Sequence, residues 1–251
     1  MWQFIHKWGS PKWFYTKTGP WLPWLWGASL ITILIGSVWG LAIAPPDRYQ
    51  HDSERILYVH VPTAMLAQSC FAVMAVAAVI YLVWKIKLAD VAAYVVAPFG
   101  ATMTFAALFS GSVWGIPTWG TWWVWDARLT SMLIQLFIYL GIIGLRASFA
   151  SRDSGAKAAA ILTLVGVVNL PIIKYSVVWW NTLHQTDTFS LTHKPDMPAS
   201  MWLPLLFTML GFYLFFAALT LTRMRNQVLK REYRSRWVRE IALPSVKGGA
   251  Q

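Results

Sequence analysis

Six long stretches of apolar residues, separated by short polar segments, dominate the chain. They cover residues 21–43, 57–84, 92–113, 129–145, 158–180 and 202–222. A helix needs about 20 apolar residues to cross the hydrocarbon core of a bilayer, and each stretch is near or above that length, with the fourth the shortest. The pattern predicts an all-α polytopic membrane protein in which residues 1–251 form one domain with six transmembrane helices.

The basic residues predict how these helices are oriented. Six spans place both termini on one side of the membrane, and 16 of the 21 lysines and arginines lie on that side. The cytoplasmic side of membrane proteins carries such an excess, so we expect both termini to be cytoplasmic. The basic tail 223–251 is then cytoplasmic, as a solvated tail or as a surface helix on anionic lipids or a partner. A net charge of +11 therefore reflects orientation and does not indicate nucleic-acid binding.

Composition agrees with a membrane protein and excludes some classes of site. Hydrophobic residues make up 57% of the chain and charged residues 12%, against roughly 25% charged residues in soluble domains. The single cysteine, Cys70, cannot form an internal disulfide, and there is no Cys-x-x-Cys-His motif. The chain also has no phosphate-binding loop, so any use of ATP needs another polypeptide. We expect the first apolar stretch to stay embedded and not to act as a cleaved signal peptide.

The most unusual stretch of the chain lies between the third and fourth apolar stretches. Residues 114–130 read WGIPTWGTWWVWDARLT. The part of this sequence that we call the tryptophan-rich segment, residues 114–128, is predicted to be a loop on the periplasmic face. Its five tryptophans are Trp114, Trp119, Trp122, Trp123 and Trp125. Tryptophan anchors loops at membrane interfaces and also stacks on flat π-systems. One or two would favour an anchor, whereas five in one segment favour a platform for a large flat ligand.

The spacing from Trp119 to Thr130 resembles a known signature. It reads Trp-Gly-x-x-Trp-x-Trp-Asp-x-Arg-Leu-Thr, and it is similar to the tryptophan-rich (WWD) domain of the haem-handling proteins of cytochrome c maturation. Chain length and span number resemble the haem exporter protein C (CcmC) family, and the resemblance covers nearly the whole chain. The matching positions are Trp119, Gly120, Trp123, Trp125, Asp126, Arg128, Leu129 and Thr130, with no departure from the motif.

Two histidines are candidate metal ligands on the same face. His60 lies near the outer end of the second span, two residues before Pro62, and His184 follows the fifth span, four residues after Trp180. Ionisable residues at the edge of apolar helices are candidates for functional sites, although an interfacial histidine bonded to a carbonyl is the alternative for each. His193 is an external competitor of His184. By resemblance, His60 and His184 are the axial ligands of a non-covalent haem b with bis-histidine ligation.

Charged residues around the tryptophan-rich segment have two interpretations each. Asp126 directly precedes the fourth span and is placed either to cap that helix or to organise the loop and contact a partner. Arg128 either extends to the interface or neutralises a carboxylate of an anionic ligand. Arg48 and Arg55, in the first outer loop, are either solvated loop residues or contact a ligand or a partner.

The resemblance also implies a function and partners. It implies a component of c-type cytochrome biogenesis in the bacterial inner membrane that delivers haem to a periplasmic haem chaperone, protein E of the same system. The implied complex contains an ABC ATPase, a second six-span subunit and a small single-span protein, so this chain itself is not an enzyme. The alternatives are a b-type cytochrome subunit in quinone-linked electron transfer, a haem permease and a structural scaffold.

Overall fold

The computed structural model describes residues 9–184 and 197–242, and within these ranges the chain is almost entirely helical. No β-strand occurs in the described ranges, apart from one isolated bridge between Asp47 and His51. The α-helices are α1 (Pro11–Thr18), α2 (Leu22–Val38), α3 (Leu57–Trp84), α4 (Lys87–Trp119), α5 (Ala127–Ala147), α6 (Arg152–Gly166), α7 (Asn169–Trp179), α8 (Ala199–Arg231) and α9 (Arg236–Ala242).

Six helical segments of the described chain are long and apolar enough to cross a membrane, which confirms the predicted fold class. They are Pro11–Ile43, Asp52–Trp84, Lys87–Trp119, Ala127–Ala147, Arg152–Trp179 and Ala199–Arg231. The first segment includes a 3₁₀ turn before α2 and a π-helical turn, Trp39–Ile43, after it. The fifth segment is made of two helices, because the regular helix is interrupted between Gly166 and Asn169.

The helices extend beyond the apolar stretches at several ends. Helix α4 continues through Trp119, so Trp114 and Trp119 are helical and only the part of the tryptophan-rich segment after α4 is a loop. The prediction that residues 114–128 form one loop is wrong to that extent. Helix α8 continues to Arg231, so the basic residues from Arg223 onward begin as helix and not as a solvated tail.

The core lies where α3, α4 and α5 meet. Tyr139 of α5 is fully buried and its hydroxyl donates a 2.7 Å hydrogen bond to the carbonyl oxygen of Ala67 in α3. Its ring also meets Phe71 edge-on at 5.1 Å. Since a membrane interior offers no water to buried polar groups, the tyrosine hydroxyl and a backbone carbonyl satisfy each other here.

The first and last long helices pack together at the side of this core. Trp26 of α2 donates its indole N–H to the hydroxyl oxygen of Thr222 in α8 at 3.2 Å, and its ring meets Phe215 of α8 edge-on at 5.4 Å. Farther along the same pair, Trp39 lies 5.9 Å from Phe207. These contacts hold α2 and the turn after it against α8.

Two faces of the bundle carry different chemistry. The tryptophan face carries the tryptophan-rich segment and the ends of α4 and α7. The terminal face carries α1, α9 and the ends of α3 and α5. On the terminal face, Arg225 of α8 donates to the carbonyl oxygen of Tyr15, and Asp90 of α4 binds both Arg146 and Arg231. The terminal face is therefore closed by charged contacts, whereas the tryptophan face holds the candidate site.

Candidate functional site

His60 lies in the first turn of α3, on the tryptophan face. Its Nδ1 atom is 3.0 Å from the hydroxyl oxygen of Ser110 in α4. Ser110 donates its single proton to the carbonyl oxygen of Ala106 at 2.7 Å, so its oxygen is left to accept from His60 Nδ1–H. This tautomer leaves the lone pair on Nε2, which is the form of imidazole that ligates a metal.

The local sequence explains why the helix tolerates a proline beside this histidine. Pro62 follows His60 by two residues, inside α3, and removes one backbone donor. Thr63 donates its hydroxyl to the carbonyl oxygens of His60 and Val59, at 2.8 and 3.0 Å. Pro62 removes the N–H that would bond the carbonyl oxygen of Tyr58, and the Thr63 hydroxyl adds a donor for the next two carbonyls, those of Val59 and His60.

His184 lies just beyond α7, in the last described residues before the gap. Its backbone N–H donates to the hydroxyl oxygen of Thr182 at 3.0 Å, and Thr182 donates to Oδ2 of Asp126. Asp126 also accepts from the backbone N–H of Leu129 at 2.8 Å, as an N-cap of α5. Asp126 thus has both predicted structural roles, since it caps the helix and ties the His184 segment to it.

The two histidines come together although 123 residues separate them in the chain. Their ring centres are 6.3 Å apart, and the ring planes are inclined by 38°. Both rings are partly shielded from solvent. Two imidazoles at this separation can ligate one metal ion that lies between them.

Two of the five tryptophans contact this pair. Trp114 meets His60 edge-on at 5.6 Å, and Trp119 lies 6.0 Å from His184. The indole N–H of Trp114 donates to Oε1 of Gln50 at 2.7 Å, so the loop after α2 fixes its ring. Each histidine therefore has its own indole neighbour, supplied by the last turns of α4.

The other three tryptophans form a group among themselves. Trp123 lies 6.1 Å from Trp122 and meets Trp125 edge-on at 5.3 Å. Trp122 is 63% exposed and Trp125 is 74% exposed. The indole N–H of Trp123 is buried and has no hydrogen-bond partner among the described residues. The five tryptophans are consequently two groups and do not form one continuous platform.

Gly120 separates these two groups. It has a φ of +73°, in the left-handed region that glycine adopts without strain, and its N–H closes the end of α4 on the carbonyl oxygen of Ile116 at 3.1 Å. The chain can therefore leave the helix directly after Trp119. This explains why a glycine follows the tryptophan in the motif, and it sets the direction of the loop that holds Trp122 and Trp123.

The remaining predicted residues divide between the site and its surroundings. Arg128 lies in the first turn of α5 and is half-buried. Arg55 donates to the carbonyl oxygens of Gly40 and Leu41 at 3.2 and 2.9 Å and binds Asp52, so it secures the end of the π-helical turn. Arg48 is exposed and lies against Tyr49. His193, the competitor of His184, falls outside the described residues.

A tight turn supports the loop that fixes Trp114. The carboxylate of Asp47 accepts the backbone N–H groups of Gln50 and Tyr49 at 2.7 and 2.8 Å. These bonds, above all that from Gln50, hold the pKa of Asp47 below its ordinary value. The ionised carboxylate therefore stabilises the turn from which the Gln50 side chain reaches Trp114.

Sequence reasoning did not identify three residues that position the site: Ser110, Thr182 and Gln50. Ser110 carried no signal, because a serine in an apolar helix commonly bonds only to the carbonyl of the preceding turn. Thr182 and Gln50 lie in polar loops where hydroxyls and amides are ordinary. Among the described residues, no group of three or more His, Cys, Asp or Glu side chains is placed to hold a metal ion.

Comparisons with known proteins place these features in context. A family model described as Heme exporter protein C matches residues 4–239. Heme exporter protein C of Escherichia coli strain K12 is 49% identical over 243 residues, which cover 97% of this chain and 98% of the relative. The protein of that name from Haemophilus influenzae is 46% identical over 96% of this chain and 98% of its own. The one from Rhodobacter capsulatus is 37% identical over 94% and 98%.

Proposed function

This chain belongs to the heme exporter protein C family, and on that premise we propose that it binds haem between His60 and His184 and passes it to an acceptor. The haem is cargo that is bound and released, and the chain is a membrane component of haem handling and not an enzyme. The observation that carries the proposal is the approach of the two imidazole rings on the tryptophan face.

The distance between the rings suits an iron atom with two axial imidazoles. A ligating imidazole nitrogen lies about 2 Å from a transition metal, and each ring centre lies about 1 Å farther out, so two opposed rings are about 6 Å apart. The 6.3 Å between His60 and His184 agrees with that value. Ser110 would hold the other nitrogen of His60, as partners of metal-bound histidines generally do.

The surrounding residues suit the rest of the haem molecule. Trp114 and Trp119 offer apolar indole surfaces beside the two axial ligands. The propionates need donors, and Arg128 is the candidate cation because it lies on the same face, in the first turn of α5. The buried indole N–H of Trp123 is a second candidate donor, since an acceptor from the ligand would supply its missing hydrogen bond.

The exposed tryptophans suggest where haem leaves. Trp122 and Trp125 present large apolar surfaces outside the bundle, and large aromatic side chains are enriched in binding interfaces. We propose that a soluble haem chaperone, protein E of the maturation system, docks on them. Occupation of both axial positions of the iron would suppress oxygen chemistry during the transfer.

The location and the assembly belong to the same proposal. The chain is a multi-pass membrane protein, and the excess of basic residues on the terminal face favours a cytoplasmic location for that face. Because the relatives are bacterial proteins, we propose that the membrane is a bacterial inner membrane and that the tryptophan face is periplasmic. The exposed apolar side chains Leu30, Ile31 and Leu34 of α2 face lipid or a membrane partner. An ABC ATPase, a second six-span subunit and a small single-span protein would complete the exporter.

The test is spectroscopy of the purified protein. We expect the wild-type protein to carry haem with a six-coordinate, low-spin spectrum, and we expect His60→Ala and His184→Ala to lose it. His51→Asn is the control, because His51 is exposed on the same face and asparagine tolerates its positive φ. An unchanged spectrum in both alanine variants, or loss of the low-spin signal in His193→Ala alone, would refute the assignment of His60 and His184 as the axial ligands.

A b-type cytochrome is distinguished by a second measurement. Quinone-linked b-type cytochromes generally need haem sites spaced across the bilayer, and the described spans contain no histidine at the terminal face that could ligate a second haem. We therefore expect one haem per chain and a redox titration with a single component. Two components, or reduction by a quinol at a rate typical of respiratory enzymes, would favour electron transfer instead.

A further inference from the structure

A cavity of about 150 Å³ lies near the terminal face, on the opposite side of the bundle from the histidines. Helices α3, α4, α5 and α6 surround it, and Arg223 of α8 lies at its edge. Alanines form much of its wall, among them Ala78, Ala93, Ala159 and Ala160. Folded proteins contain few voids of this size, because an empty one costs stability.

The shape and the lining of the cavity favour a hydrocarbon chain. The residues of α4 that line it run from Asp90 to Pro98, a length of about 12 Å at 1.5 Å per residue. A cavity near 150 Å³ with apolar walls takes a hydrocarbon the size of benzene. The lining of the void therefore extends about 12 Å along α4, and its volume of about 150 Å³ is too small for a porphyrin.

Positive charge accumulates at the mouth of the cavity. Asp90 is buried and binds Arg146 at 2.6 Å and Arg231 at 2.8 Å. Arg223 adds a third guanidinium, and Asp153 is a second acid, besides Asp90, that acts electrostatically on the lining residue Tyr81 among the described residues. Three cations therefore accompany two carboxylates.

One donor at this mouth lacks an acceptor. The Nη2 atom of Arg146 is buried and has no hydrogen-bond partner among the described residues, while the guanidinium also lies 4.9 Å from the ring of Tyr94. A buried guanidinium N–H without an acceptor is unfavourable, and an anionic oxygen would satisfy it.

We propose that this cavity binds one acyl chain of an anionic phospholipid from the leaflet at the terminal face. The chain occupies the alanine-lined void, and the head-group phosphate lies against Arg146 and Arg223. This site is independent of haem binding, because it lies at the other end of α3 and α4. The lipid would fill the space between the four helices and neutralise the excess positive charge.

Native mass spectrometry of the full-length protein in detergent tests the proposal. Phosphatidylglycerol, phosphatidylcholine and inorganic phosphate serve as probes, and retained lipid is counted per chain. Ala160→Leu fills the cavity and should lower the retention of phosphatidylglycerol at least tenfold. Ala72→Leu, at an exposed position of α3, is the matched control and should change nothing. Equal retention in the two variants would overturn the proposal.

A second pair of variants tests the head group without touching the core. Arg223→Gln should weaken phosphatidylglycerol binding about fivefold and leave phosphatidylcholine unchanged, since one basic residue contributes that much to anionic lipid binding. Arg152→Gln, exposed at the same face and outside the cavity, is the control. Equal effects of both substitutions would refute the head-group assignment.

Inorganic phosphate separates a lipid site from a simple anion site. Phosphate alone should not raise the unfolding temperature as phosphatidylglycerol does, because it leaves the void empty. If phosphate stabilises the wild-type protein as much as the lipid, the cavity is not a lipid site. If Ala160→Leu fails to fold, the comparison of Arg223→Gln with Arg152→Gln decides.

Discussion

Gly111 gives His60 the room it needs, one helical position after Ser110. A Cβ atom at residue 111 would lie 2.9 Å from Cε1 of His60, closer than real contacts allow. We expect Gly111→Ala to displace the His60 imidazole from the position in which it would ligate the iron. Haem retention should fall by about 10–100-fold, the loss typical when a residue that orients a metal ligand is removed. The haem content and the low-spin spectrum measure the effect.

The control for this substitution is Gly144→Ala. Residue 144 is a helical glycine of α5 with open space where a Cβ would be. Alanine there should leave haem unchanged, and helix propensity favours it by about 0.5–1 kcal/mol. Equal haem contents in the two variants would show that the space beside His60 is not used.

A substitution of Trp123 can separate two contributions of its indole, the N–H donor and the apolar surface of the ring. Trp123→Phe keeps an aromatic ring and removes the buried N–H. We expect about a 10–100-fold loss of haem affinity, because a hydrogen bond to a carboxylate contributes about 1.5–3 kcal/mol. Isothermal titration with haem gives the affinity, and Trp122→Phe, with an exposed ring, is the control. If Trp123→Phe binds haem as the wild type does, the N–H has no role in binding.

At the scale of elements, the N-terminus of α5 and the segment after α7 depend on the same carboxylate. Asp126→Ala removes the cap of Leu129 and the bond from Thr182, whereas Thr182→Val leaves the cap in place and removes the bond to Asp126 and the acceptor of the His184 N–H. We expect both variants to lose haem, and only Asp126→Ala to lower the free energy of unfolding, by about 1 kcal/mol. Denaturation in detergent gives the free energy of unfolding of each variant, and absorption spectra give its haem content. Equal stability of the two variants would contradict the cap.

The Asp47 turn predicts a pH dependence with a defined sign. A carboxylate whose folded pKa is lowered stabilises the turn above its unfolded pKa, about 3.9, and that stabilisation is lost as the pH falls through the lower folded value. We expect the indole N–H resonance of Trp114 to broaden below about pH 4. In Asp47→Asn, which lacks the titrating group, this change should be absent. A transition that persists in the variant would assign it to another group.

The apolar pattern showed where lipid ends, and this is not always where a helix ends. Helix α4 passes beyond Val113 because Thr118 donates to the carbonyl oxygen of Trp114, and a left-handed Gly120 terminates the helix. Helix α8 passes beyond Thr222 because Arg225 and Arg231 find partners on other helices. Hydrophobicity carries no record of such contacts, so the helix limits could not be predicted.

Part of the candidate site could be predicted from the sequence. The two histidines and the tryptophan motif could be named because their chemistry is rare in a membrane protein. The division of the five tryptophans into two groups could not be predicted, since it depends on the left-handed turn at Gly120 between Trp119 and Trp122. The partner of His60 also remained hidden, because Ser110 belongs to another helix and the pairing follows only from how α3 and α4 pack.

At the scale of the whole molecule, Asp90 joins three helices at the terminal face. Asp90→Asn would leave Arg146 and Arg231 facing each other with little solvent, and we expect a loss of about 3 kcal/mol in the free energy of unfolding. Asp153→Asn, at an exposed position, should change it by less than about 0.5 kcal/mol. Thermal unfolding in detergent compares the two variants. Similar unfolding temperatures would mean that the Asp90 cluster does not hold the bundle together.

The two histidines are carried by unequal supports. His60 is part of a 28-residue helix within the bundle, whereas His184 lies in a short strap that follows α7 and is tied back through Thr182. In the proposed haem complex, displacement of this strap would separate the rings while the spanning helices stay in place. Release of the haem would then need only a local step and no rearrangement of the membrane-embedded helices.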